Sequence, residues 1–165
     1  MSATRPGEQQ AQDALSATGV PHEVTRHGPV RSLAEAVAAR GIEPGAIVKT
    51  LVVRRADEDF VLVLVPGDRG ISWPKLRALL GVNRLSMPDA ETAQTATGYE
   101  RGTITPFGAL GGWPVIADER LAPMPAVSIG GGGHGVAFLL SGADLLTALA
   151  ALPGGVEAAD VTEPL

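Results

Sequence analysis

Apolar and polar positions are most sharply patterned between residues 47 and 65. Ile47-Val48-Lys49-Thr50-Leu51-Val52-Val53 opens one strand, and the apolar run from Phe60 to Val65 is a second. Ala56-Asp57-Glu58-Asp59 between them is polar and turn-like, so residues 47–55 and 60–65 are predicted to form a hairpin. Residues 8–17 read as a short helix stopped by Gly19 and Pro21, and residues 22–26 as a short strand. Ser32, with Glu35 three residues on, forms a capping box for a helix through Ala39 that Gly41 closes. Residues 66–70 form a loop. Ser72 caps a helix over 73–80, with Pro74 tolerated in its first turn. A helix over 89–96 follows Pro88. Strands are expected over 115–117, 126–129 and 136–140. A last helix starts at Ser141, runs through Asp144 to Leu152 and is closed by Pro153-Gly154.

Helices and strands mix without strict βαβ alternation. The pattern predicts a single α+β domain with a mixed, mostly antiparallel or barrel-like sheet and flanking helices. Residues 1–7 are expected to be a loose leader, 8–153 the folded domain, and 154–165 a frayed C-terminal tail. At 165 residues the chain is long enough to close one sizeable core.

Composition narrows the function. Hydrophobic residues make up 45% and charged residues 19%, which fits a folded chain. Aromatics at 4% are too few for base stacking to be a main binding mode. A formal net charge of -5 argues against coating nucleic acid by charge alone, while leaving room for contacts to a few phosphates. The chain has no cysteine, which removes disulfides, thiolate metal sites and cysteine nucleophiles and fits a cytoplasmic protein. No stretch reads as a membrane span or signal peptide.

Lys49 is one of two lysines, the other being Lys75. Side chains alternate across a strand, so Lys49 shares a face with Leu51 and Val53. An ammonium among such neighbours either snorkels to water or is held for a purpose. Two glycine-rich stretches offer surroundings for it. Gly98-Tyr99-Glu100-Arg101-Gly102-Thr103-Ile104-Thr105-Pro106-Phe107-Gly108 is either an ordinary connection or a turn whose N–H groups bind a carbonyl oxygen or carboxylate. Ser128-Ile129-Gly130-Gly131-Gly132-Gly133-His134-Gly135 is neither a P-loop nor a dinucleotide fingerprint, because a strand follows it. It is a hairpin tip or a platform for ribose or phosphate. His22, His27 and His134 are not at metal-ligand spacing, and no Gly-x-Ser-x-Gly elbow is present.

In order, Val48 to Val53, Leu85-Ser86-Met87-Pro88-Asp89-Ala90 to Thr97-Gly98-Tyr99, Gly102 to Gly108, and Ser128 to Gly135 followed by Ser141 to Leu146 resemble the YbaK/ProX family. These are free-standing relatives of the editing domain of bacterial prolyl-tRNA synthetases. The resemblance runs from about Thr18 to Leu149. It implies a hydrolase that cleaves, in trans, the ester joining a wrong amino acid to the 3′ end of tRNA, tRNA-Pro or a related one. Lys49 would then be the essential lysine, with Gly102 beside it in the catalytic set. Thr103, Ile104, Thr105 and Pro106, with Gly131, Gly132, Gly133 and His134, would bind substrate. The resemblance implies no metal or other cofactor and a mischarged tRNA as partner, with a synthetase as a further partner. Thr105 stands where many members carry serine, and Ala137 where some carry an acidic residue, so alanyl, cysteinyl, seryl and threonyl substrates all stay open. Two other functions fit the same residues: a non-catalytic module that holds tRNA ends or a synthetase, and a hydrolase of another small acyl ester.

Overall fold

The structure, a computed structural model, describes residues 6–27 and 42–165. The helix expected over 32–39 lies outside the described residues. The chain forms α1 (Pro6–Ala17), β1 (Glu23–Arg26), β2 (Ile47–Ala56), β3 (Asp59–Pro66) and β4 (Arg69–Ile71). Next come α2 (Trp73–Leu80), α3 (Ala90–Thr97), β5 (Val115–Asp118), β6 (Val127–Gly130) and β7 (Val136–Leu140). The chain ends with α4 (Gly142–Ala150), β8 (Val156–Ala159) and β9 (Thr162–Pro164).

Seven strands form one sheet in the order β1-β7-β6-β2-β3-β5-β8, and β4 pairs with β9 in a second. The expected hairpin is the centre of the large sheet, with Leu51 opposite Val63 and Val53 opposite Val61. The sheet is mixed: β2–β6, β3–β5 and β5–β8 run parallel, and the other pairs antiparallel. The fold is a single α+β domain.

β3 is apolar along nearly its whole length because it feeds two cores. Phe60, Leu62 and Leu64 face the larger core with Leu15, Phe107, Ile129, Phe138, Leu145 and Leu149. Val61, Val63 and Val65 face a smaller one with Val53, Ile71, Leu76, Ile116 and Val161. Burying each such side chain contributes about 1.5–3 kcal/mol. α1 and α4 serve the larger core, and α2 covers the smaller. Asp89 and Ser141 cap α3 and α4 by accepting from Thr92 N–H at 2.8 Å and Asp144 N–H at 3.0 Å. Ser72 stands at the N-cap of α2 but makes no side-chain cap bond; its N–H donates instead to the Val161 carbonyl at 2.8 Å.

That bond belongs to the main departure from expectation. Residues 156–164, expected to fray, form β8 and β9, with Val161 and Thr162 fully buried. Val161 closes the smaller core and β8 extends the sheet beside β5. The two strands are only 4 and 3 residues long, so no periodicity announces them; only the waiting edges of β4 and β5 do. Asp160 bridges Lys75 at 2.9 Å and Arg120 at 2.9 Å. The Lys75 ammonium first, then Arg120, pulls the Asp160 carboxyl down to about 2. The folded value lies below the unfolded one, so this stabilisation is present above the ordinary carboxylate range and is lost as pH falls through that lower value. Thermal unfolding followed between about pH 4 and about pH 2 should therefore show a shallower acid loss for Asp160→Asn than for wild type.

Candidate active site

A cleft of about 680 Å³ opens where β2 and β6 part. The two strands pair only at Ile47–Ser128 and Val48–Ile129. The next backbone partner on that side of β2 is Ser86, opposite Arg54. The stretch of β2 between them faces the cleft. Lys49, Thr50, Leu51 and Val52 form one wall, Met87, Pro88, Asp89, Ala90 and Ala93 a second, and Arg101, Gly102, Ile104 and Gly130 a third. The volume is within the ordinary range for a small-ligand site.

Lys49 lies on the face of β2 that turns to the smaller core, at its rim, and is half-buried. Its Nζ donates to the carbonyl oxygen of Arg69 at 2.5 Å. Burial pushes its pKa below the usual lysine value, and the nearby Asp68 carboxylate offsets part of that. The ammonium is thus a partly desolvated cation, and its field in the cleft is less screened than in water. Thr50 adds a buried hydroxyl with no hydrogen-bond partner among the described residues.

The Gly102 loop is built on Tyr99. The Tyr99 ring is buried and its hydroxyl donates to the Phe107 carbonyl at 2.7 Å, which closes the loop on itself. Burial raises that hydroxyl's pKa to about 12, so it stays a donor. Gly102 has φ 89°, a left-handed conformation that suits glycine and leaves its backbone open to the cleft. A Cβ there would sit 3.2 Å from Cε1 of His134. His134 is exposed at the rim, with Nε2 3.0 Å from Oε1 of Glu100, and so ties the two glycine-rich stretches together.

Of the residues singled out from sequence, Lys49, Gly102 and Ile104 line the cleft. The other expected substrate contacts do not line it. Thr103 is buried and its hydroxyl donates to the Glu100 carbonyl at 2.8 Å, closing the turn. Thr105 is fully buried. Pro106 faces a separate hollow of about 340 Å³ beside Gln10 and Trp113. Gly131, Gly132 and Gly133 are buried: a Cβ on Gly131 would lie 2.7 Å from Val136 Cγ1, while Gly132 and Gly133 abut α1, where a Cβ would lie 2.5 Å from the Gly7 carbonyl oxygen and 2.5 Å from Glu8 Cγ respectively. Gly132 and Gly133 let the helix approach the strand turn; Gly130 is the one of this stretch that reaches the cleft. Thr50, Met87, Asp89 and Arg101 were not singled out from sequence. Met87 and Asp89 had appeared only as part of the stretch from Leu85 to Ala90 that carries the family resemblance, with no role of their own. No group of three or more metal-ligating side chains occurs among the described residues.

A family model described as aminoacyl-tRNA editing domain matches residues 27–148. A proline--tRNA ligase of Thermoanaerobacter sp. (strain X514) is 33% identical over 113 residues, 67% of this chain and 20% of the ligase. That of Caldicellulosiruptor saccharolyticus is 40% identical over 79 residues, 48% of this chain and 14% of the ligase. The chain thus spans about a fifth of the first of these relatives. Among solved structures, one of a proposed trans-editing enzyme for prolyl tRNA synthetase superposes with a TM-score of 0.85 at 29% identity, covering 98% of this chain and 99% of that one. The hypothetical protein APE2540 gives 0.82 at 27%, covering 93% and 99%. With the family model spanning the cleft and both of its glycine-rich stretches, the chain belongs to the aminoacyl-tRNA editing domain family.

Proposed function

We propose that the protein is a deacylase that hydrolyses, in trans, the ester between a small amino acid and the 3′-terminal ribose of a mischarged tRNA, tRNA-Pro or a related one, in the cytoplasm. The observation that carries this is that Lys49 and the open backbone of Gly102 line one cleft of small-ligand size. Hydrolysis of an ester builds negative charge on the carbonyl oxygen. A desolvated ammonium and fixed backbone N–H groups stabilise that charge in place. Water attacks the carbonyl carbon, or a hydroxyl of the substrate does so first and forms an ester that water then cleaves; the C–O bond to the ribose breaks, a proton goes to the ribose oxygen, and the oxygen of the water leaves in the carboxylate of the amino acid. Apolar Val52, Ala90, Ala93 and Ile104 leave room for a small side chain. Such a wall separates substrates differing by one methyl only weakly, by about 10- to 200-fold.

The surroundings suit an RNA end. A second cleft begins one residue along from Met87 and is lined by Arg54, Arg55, Arg77 and Arg84, with Asp57 among them. Arg55 is paired with Asp59 at 2.9 Å, while Arg54, Arg77 and Arg84 make no salt bridge among the described residues. In a chain of net charge -5 this concentration of guanidinium groups supplies the local phosphate contacts that overall charge does not.

The test is release of amino acid from tRNAs charged with alanine, cysteine, serine or threonine, beside the correctly charged prolyl-tRNA. Release from one or two of the mischarged members, with prolyl-tRNA spared, is expected. Tight binding with no release from any member would assign a tRNA-holding module instead.

A further inference from the structure

The lysine in the cleft is held from the C-terminal end of the chain. A lysine side chain has four rotatable bonds, so its ammonium has a fixed place only where something holds it. The one hydrogen bond that Lys49 makes among the described residues goes to the carbonyl of Arg69, the first residue of β4. The sheet partner of β4 is β9. The Arg69 guanidinium grips the first residue of that strand: Nε donates to Thr162 Oγ1 at 2.8 Å, and Nη2 to the Thr162 carbonyl at 3.3 Å. Thr162 is fully buried, and its hydroxyl donates onward to Oδ2 of Asp118 at 2.7 Å. Asp118, also fully buried, closes β5 in the large sheet. The Thr162 hydroxyl therefore accepts once and donates once. An apolar residue would fill the same space, but only a hydroxyl can join a guanidinium to a buried carboxylate.

We propose that Thr162 and Arg69 are positioning residues for Lys49: the Asp118–Thr162–Arg69 chain sets the place of the carbonyl that aims the ammonium at the ester. The proposal rests on the deacylase reading and adds the C-terminal strand to its working parts. Among the described residues, the charged groups facing the ammonium and its cleft are Asp68 in the turn before β4, Arg69 on β4, and Asp89 and Arg101 on the facing walls.

Three variants test it: Thr162→Val, which keeps the shape and removes the hydroxyl; Thr162→Ser, which restores the hydroxyl; and Arg69→Lys, which keeps the charge and removes the two-point grip. Misplacing a reacting group by an ångström costs up to about a hundredfold, so kcat on mischarged tRNA should fall about tenfold or more in Thr162→Val and Arg69→Lys. KM should stay near wild type, and Thr162→Ser should turn over like wild type. The second readout is the titration of Lys49 itself, followed by nitrogen NMR of Nζ. The Arg69 carbonyl favours the charged amine, so loosening it should move the titration to lower pH in Thr162→Val and leave it in place in Thr162→Ser. A purely structural role would lower the unfolding temperature without moving that titration. Wild-type kcat and an unmoved Lys49 titration in folded Thr162→Val would overturn the proposal. Should Thr162→Val not fold, Arg69→Lys, which leaves the Thr162–Asp118 bond intact, decides by the same two readouts. Should wild type release nothing from any tRNA, the deacylase reading falls, and the Lys49 titration still decides whether Thr162 positions the ammonium.

Discussion

Lys49→Ala is expected to remove at least 99% of amino-acid release from the preferred mischarged tRNA, since deleting one group that stabilises the developing oxyanion costs about 10²–10³-fold in rate. The fold should survive. Lys49 is half-buried at the rim of the smaller core, and its loss leaves the Arg69 carbonyl beside an open cleft that water can enter. A stability loss of about 1 kcal/mol is the scale for one such hydrogen bond. Urea unfolding run alongside the turnover assay separates the two effects. Burial lowers the Lys49 pKa, so the charged form is lost at lower pH than for a free lysine, and wild-type turnover should decline on the alkaline side before the usual lysine range is reached. Lys49→Arg, which cannot lose its proton in that range, should lack this decline at whatever rate it retains. Turnover by Lys49→Ala at the wild-type rate would remove Lys49 from the chemistry.

Asp118→Ala should be the most damaging single change to stability among the polar positions described here. The carboxylate is fully buried and accepts from the Thr162 hydroxyl at 2.7 Å, from Val161 N–H at 3.3 Å and from Arg120 N–H at 3.1 Å. Alanine leaves two buried donors of the C-terminal segment without this acceptor, and each unsatisfied group costs about 1–3 kcal/mol. A loss of about 3 kcal/mol is expected, which for a domain of this size lowers the unfolding temperature by about 6–12 °C. Asp118→Asn keeps one acceptor oxygen and should lose roughly half as much. Hydrogen exchange would locate the damage: amides of β8 and β9 should lose protection in Asp118→Ala while those of β3 keep it. Uniform loss across both would show that the C-terminal strands are not a separately anchored unit.

The central hairpin was legible because it is written locally. Apolar runs at strand length, a polar four-residue turn and β-branched residues at successive positions leave little else for residues 47–65 to do. The start of α4 at Ser141 was legible for the same reason, since Ser141 bonds to the amide three residues on; Asp89, expected inside its helix, is the cap of α3. Lys49 stood out as an ammonium in an apolar strand. Gly102 was marked only by the resemblance of its loop to that of the editing family, and its left-handed φ of 89° belongs to the structure.

What could not be read in one stretch depended on partners distant in the chain. Residues 156–164 carry too few apolar positions to specify strands; β8 and β9 form because β5 and β4 present unpaired edges to them. Val161 is an ordinary tail valine until the smaller core closes on it. The divergence of β6 from β2 after Val48 opens the cleft, and it sorted the glycine-rich stretch into Gly130, which lines the wall, Gly131, which packs on Val136, and Gly132 and Gly133, which seat α1. Pattern and composition therefore decided the strand and helix types, the class of the fold and the one amine set in an apolar strand, all of which rest on neighbours within a few residues. Tertiary structure decided which loop residues meet that amine and what holds it, because strand pairing and the burial of Asp118 and Thr162 join segments up to 113 residues apart, Lys49 to Thr162.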